Sequence, residues 1–136
     1  MTKQLSTYVY KVLKSSWGIR ISITAGVQFR AGQEEGRVTG SPVWIEFAGS
    51  ASGFPYVYKK ELARGLSVVA AEISERVDGK SVTVVVDEVI YVESDFQVDG
   101  ISVAMCRWAE DAFGLNVRQI SESFDREANR YHFEWH

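Results

Sequence analysis

Two histidines, one cysteine and a run of acids are the residues of this chain best suited to chemistry, and their spacing decides what each could do. His132, Glu134 and His136 alternate with Tyr131, Phe133 and Trp135. On an extended strand the three polar side chains share one face and present ligand types that suit zinc. A polar sheet face accounts for the same pattern, so no native metal is expected. Cys106 stands alone between Met105 and Arg107, which excludes an intramolecular disulfide and any multi-cysteine metal cluster and suits a reducing compartment. A reactive thiol needs an electropositive, partly exposed setting, and on an apolar helix a structural role is expected instead. Asp87, Glu88, Glu93, Asp95 and Asp99 concentrate acid around one strand and the turn after it. Converging, they could share a proton or hold magnesium; on a solvated edge they do neither. The run Gly49-Ser50-Ala51-Ser52-Gly53 fits neither the nucleophile elbow nor the phosphate loop and reads as a connection. No catalytic set and no cofactor are expected.

Charge gives a different signal. The first 33 residues hold Lys3, Lys11, Lys14, Arg20 and Arg30 and no acid, while the remainder holds 10 basic and 18 acidic residues. With Arg37, these bases form a candidate binding set for RNA or another anionic partner, since basic patches interleaved with aromatics such as Tyr8, Tyr10, Trp17, Phe29 and Trp44 can engage single strands. No RNP or KH signature accompanies them.

The elements that must position these residues follow from periodicity. Thr7–Leu13 and Trp17–Ala25 are rich in β-branched and aromatic types, and Ile19, Ile21 and Ile23 alternate with Arg20, Ser22 and Thr24, the period of a half-buried strand. Gly26 to Pro42 reads as a mobile loop or a hairpin tip. Val43 to Phe47 alternates again as a third strand. Pro55 suits a helix's first turn, and Tyr58, Leu62, Leu66, Val69, Ile73 and Val77 follow at steps of three or four, predicting one long helix stopped by a left-handed Gly79. Gly65 inside it is either tolerated or a close-packing point. Ser81 to Val92 is a valine-rich strand, and a second helix runs through Ile101, Met105, Trp108 and Phe113 with Asp99 as N-cap and Gly114 at its end. Val117–Phe124 and Arg130–Trp135 form a final hairpin around residues 125–129. The order β-β-β-α-β-α-β(β) predicts an α+β two-layer sandwich, a mainly antiparallel sheet with two helices on one face. At 136 residues, 46% of them hydrophobic and 17 aromatic, the chain suits one domain spanning residues 1–136 and is incompatible with intrinsic disorder. No apolar run reaches the roughly 20 residues of a bilayer span, so no membrane partner is expected and a cytoplasmic location is.

From Tyr56 to Phe113 the chain resembles domain IV of translation elongation factor G. Arg64-Gly65-Leu66 is similar to the family's Lys-Gly-Ile, Val98-Asp99-Gly100 to its Val-Asp-Ser, and Met105, Ala109, Ala112 and Phe113 to its Met-Ala-Phe-Lys helix and terminal Ala-Phe. The segment Gly32 to Phe47 resembles its glycine-rich loop. The resemblance implies a left-handed β-α-β crossover and a place in translation, at the ribosome or on RNA. It departs from the family at Gln33, Glu34 and Glu35, where the family loop is basic, and at Phe96 and Gln97, where the family has a histidine. No phosphate loop for GTP hydrolysis occurs. The expectation is a non-enzymatic protein-interaction module with an unidentified protein partner. The alternatives are a ribosome- or RNA-binding accessory domain and a small enzyme using Asp87, Glu88, Asp95 or Asp99.

Overall fold

A computed structural model of the protein describes residues 4–93 and 95–136; Lys3 lies outside the described residues. Strand β1 (Leu5–Leu13) turns into β2 (Gly18–Gln28), β3 spans Val43–Phe47, helices α1 (Tyr56–Val68) and α2 (Ala70–Arg76) follow, then β4 (Val82–Tyr91), α3 (Gly100–Phe113) and the hairpin β5 (Ile120–Asp125) to β6 (Arg130–Trp135). The four-stranded sheet has the order β1-β2-β4-β3. Its first two pairings are antiparallel, and β3 runs parallel to β4. Among the described residues, β5 and β6 pair only with each other. With the helices against one side of a mainly antiparallel sheet, this is the α+β sandwich expected from the sequence.

The inward face explains the alternation. Ile19, Ile21 and Ile23 of β2 and Val82, Val84 and Val86 of β4 are buried with Leu62 and Leu66 of α1 and almost the whole of α3. Past Val86 the valine strand keeps its phase through a bulge: Thr24 faces Glu88 while Ala25 faces Val86, leaving Asp87 as the extra residue. That one-residue insertion turns Val89 and Tyr91 back inward and sends Glu88 and Ile90 outward.

Four local expectations are refined. The long helix is broken at Val69 (φ −110°, ψ 10°), whose N–H turns back to the carbonyls of Leu66 and Ser67. No proline or glycine marks the break; consecutive β-branched residues Val68 and Val69 sit there, the types that lose most side-chain freedom in a helix. The stop after α2 is a Schellman closure in which Asp78 takes the left-handed position first (φ 57°) and Gly79 follows, its N–H reaching the Ser74 carbonyl at 2.8 Å. Asp99 occupies the N-cap position of α3, but its side chain makes no capping bond; Gln97 and Arg130 occupy its carboxylate. Residues 26–42 are no open loop. Beyond Gln28 they form a turn at Glu34–Gly36 and fold back on β3, with Arg37 bridging Trp44 and the Val38 N–H on the Val43 carbonyl at 2.8 Å.

Gly65 marks a close contact between helices α1 and α3. A Cβ built there would lie 2.1 Å from the carbonyl oxygen of Ser102 on α3, so only glycine lets α1 and α3 approach this closely. Trp108 of α3 reaches the edge of β1, its indole N–H on the Ser6 carbonyl at 3.0 Å. The hairpin is docked by Tyr131, whose hydroxyl donates to the Trp17 carbonyl at 2.7 Å and accepts from the Lys14 N–H at 2.8 Å. Gln97 completes the seam by exchanging two hydrogen bonds of 2.7 Å with the Tyr131 backbone.

Candidate interaction surface

The helices cover one face of the sheet, and the strand alternation fixes what the other presents. On β1 the outward positions are Leu5, Thr7, Val9, Lys11 and Leu13; on β2 they include Arg20, Ser22 and Thr24; on β4, Glu88 and Ile90. Leu5, Val9, Leu13 and Ile90 are 37 to 73% exposed, and they make up four of the nine large apolar side chains exposed among the described residues. Scattered exposed aliphatics are ordinary on a protein surface, whereas a concentration on one flat face marks a place where another surface is met.

Register orders this face into rows. Lys11 lies opposite Arg20, Val9 opposite Ser22 and Ser22 opposite Ile90, Thr7 opposite Thr24 and Thr24 opposite Glu88. The Thr7 and Thr24 hydroxyls meet at 2.7 Å. One end of the face is therefore basic, its middle is an aliphatic row about Ser22, and Glu88 stands beyond that row.

Of the basic residues singled out in the sequence, the structure brings Lys11 and Arg20 side by side on this face, and Lys14 follows in the turn after β1. Arg30 and Arg37 are elsewhere. The Arg30 guanidinium holds both carboxylate oxygens of Glu46 on β3 at 3.1 and 2.7 Å, and the same bonds hold the Glu46 carboxyl below its ordinary range. Arg37 lies over the Trp44 ring, 5.3 Å from its centroid, and donates to the Ser41 and Gly40 carbonyls. Both arginines thus secure the residue 29–42 segment to β3.

The other candidate groups have structural occupations. Cys106 is buried, and burial, with the nearby Glu110 carboxylate adding to it, pushes its thiol up to about 11, far from the thiolate a nucleophile requires at neutral pH. Among the described residues, no three His, Cys, Asp or Glu side chains gather into a group that could hold a metal ion. Asp99 pairs with Arg130 at 3.1 Å, and Asp95 receives the Arg20 N–H on its backbone carbonyl. His136 bonds Ser121 across the hairpin at 2.9 Å. Phe96 stacks on Tyr91 with ring centroids 4.2 Å apart, and Gln97 docks the hairpin, so both residues serve packing here.

Two features escaped the sequence reading. Glu110, 3% exposed, accepts from Arg107 at 2.8 Å and from the Arg118 N–H at 2.6 Å, while Arg107 also reaches the Arg118 carbonyl at 2.7 Å. This pair, with Glu110 buried and Arg107 half-buried, staples the segment after α3 to the helix; the i,i+3 spacing of Arg107 and Glu110 was its signal. The second is a groove of about 560 Å³ where Glu61 and Arg64 of α1 approach Asp99, Asn129 and Arg130. Arg130 there is held by Asp99, whereas Arg64 stands 3.9 Å from the Glu61 carboxylate, whose Oε1 is buried without a hydrogen-bond partner among the described residues.

No helix among the described residues is long and apolar enough to cross a membrane. Compared with models of known protein families and with curated proteins, the sequence matches none of them.

Proposed function

We propose that this chain is a protein-binding module whose docking surface is the helix-free face of the β1-β2-β4 region. The observation that carries the reading is the gathering of Leu5, Val9, Leu13 and Ile90 on one face beside Lys11 and Arg20. Apolar side chains ringed by charge are the composition of a protein interface, in which aliphatic area supplies affinity and the charges set orientation. A nucleic-acid surface would instead present a longer basic track with aromatic platforms. Here Trp44 carries Arg37 over its ring and Arg30 is turned onto Glu46, which favours the protein reading over the ribosomal one.

The test is affinity capture with tagged protein, with and without nuclease and at two salt concentrations, repeated with the I90D variant. The expected result is a protein partner, another copy of the chain included, retained after nuclease and lost with I90D. Recovery of RNA or ribosomal components, lost with nuclease or at high salt and unaffected by I90D, would overturn the reading and favour the translation role that the elongation-factor likeness implies.

A further inference from the structure

We infer that the partner of this face is a second copy of the chain, turned end for end; the inference rests on the reading of the face as a docking surface. The argument comes from the order of its rows. Arg20 lies two residues before Ser22, and Glu88 two residues before Ile90, while Ser22 and Ile90 face each other on antiparallel strands. Arg20 and Glu88 therefore stand on opposite sides of the Ser22–Ile90 row, each displaced by about 6.6 Å at 3.3 Å per residue. A two-fold axis along that row, between two facing sheets and perpendicular to the strands, exchanges the two ends. It sets Arg20 of each copy above Thr24 of the other and beside its Glu88, and it lays Val9 over Val9 and Ile90 over Ile90. The face is thus complementary to itself, in apolar content and in charge, as a closed two-fold interface requires.

An acidic partner of another kind would match Lys11 and Arg20 but leave Glu88, on the same face, opposed by like charge. A second copy supplies the opposite sign at both ends, and Lys11 falls at the rim opposite Thr7. Three strands about 4.8 Å apart and a facing length of about 25 Å give roughly 360 Å² on each copy, below the size of a permanent interface and in the range of weak, transient encounters, so the dimer forms and dissociates with concentration.

Sedimentation equilibrium on the full chain, from about 10 μM to about 1 mM and at about 50 and 500 mM salt, reads the association directly. The expected result is a monomer–dimer equilibrium that weakens with salt. R20E and E88R alone each weaken it at least about tenfold, and the double variant R20E/E88R returns to within about threefold of the parent, because the pair is restored with its signs exchanged. V9D, which sets two carboxylates across the axis, leaves a monomer. Circular dichroism shows that each variant remains folded. A monomer throughout the concentration range, or a dimer indifferent to all of these substitutions, overturns the inference. If the parent stays monomeric while I90D still abolishes capture of another protein, the second copy is wrong and the docking face stands; if I90D abolishes neither, both readings fail.

Discussion

Replacing Gly65 with alanine isolates the contact on which the helical layer depends. On an exposed helix the change would stabilise the protein by up to about 1 kcal/mol, because alanine has the higher helix propensity. Here the added methyl would sit 2.1 Å from the Ser102 carbonyl oxygen and 3.0 Å from the Cβ of Met105. Ordinary contact begins near 3.4 Å, so α1 must retreat from α3 by about 1 Å, or Ser102 must leave its place in the first turn of α3. Overpacking of this kind costs typically 1–3 kcal/mol and occasionally more. Because the obstacle is backbone and no side-chain rotation relieves it, we take the upper part of that range, about 3 kcal/mol. Subtracting the propensity gain leaves a net loss of about 2 kcal/mol. For a chain of this length that lowers Tm by about 6–8 °C. Urea unfolding followed by tryptophan fluorescence should show the midpoint falling with the slope unchanged. Gly53, whose added methyl would meet nothing within 4 Å, supplies the control, and G53A should lie within about 0.5 kcal/mol of the parent. A G65A protein as stable as the parent, or more so, would refute the claim that the α1–α3 distance is set by this residue.

Three further outcomes follow from the packing. E110Q leaves Arg107 in a confined site without its counter-charge and weakens the bond to the Arg118 N–H; removal of one partner of a buried pair predicts a loss of about 3 kcal/mol in a urea titration. Y131F removes a buried hydroxyl that both donates to Trp17 and accepts from Lys14, and the two backbone groups left behind predict a loss of about 1–3 kcal/mol, read as a lower melting temperature with an altered Trp17 emission. Cys106 should resist iodoacetamide at pH 8 in the native protein and react once urea unfolds it. Its thiol is raised to about 11, so above the ordinary value near 9 the unfolded chain gives up a proton that the folded one retains. The contribution of Cys106 to stability is complete below about pH 8.5 and declines as pH rises toward about 11, a decline that C106A should reduce; equal pH dependence in both proteins would contradict it.

How much of this was legible in the sequence varies with the range of the interaction. Alternation in Ile19 to Thr24 and the three-or-four step from Tyr58 to Ile73 gave the strands and helices, because a periodic apolar set is a local consequence of one buried face. The break at Val69 carried no breaker residue, and the bulge at Asp87 shows only when β2 is laid beside β4. The fate of the basic residues was the least legible. Arg30 finds Glu46 sixteen residues later, and Arg37 finds Trp44, through the return of the residue 29–42 segment along β3. Composition marked them as a patch with Lys11 and Arg20; only tertiary pairing separates the two sets. Gly65 could be read as tolerated or as a contact, since a glycine does not announce which neighbour requires it.

The way the final hairpin is tied down also bears on how the chain is made. Tyr10 bonds Glu122, the Trp17 indole bonds Asn129 and the Lys14 N–H bonds Tyr131, partners 112, 112 and 117 residues apart. At about 5–20 residues per second of synthesis, an interval of about 6–23 s separates the appearance of one side of this seam from the other. During that time the Tyr10 and Trp17 side chains lack the contacts that the final hairpin supplies. Closure of this seam is therefore a late step of folding, since it waits for β5 and β6, whose contacts with β1 and its turn span more than a hundred residues.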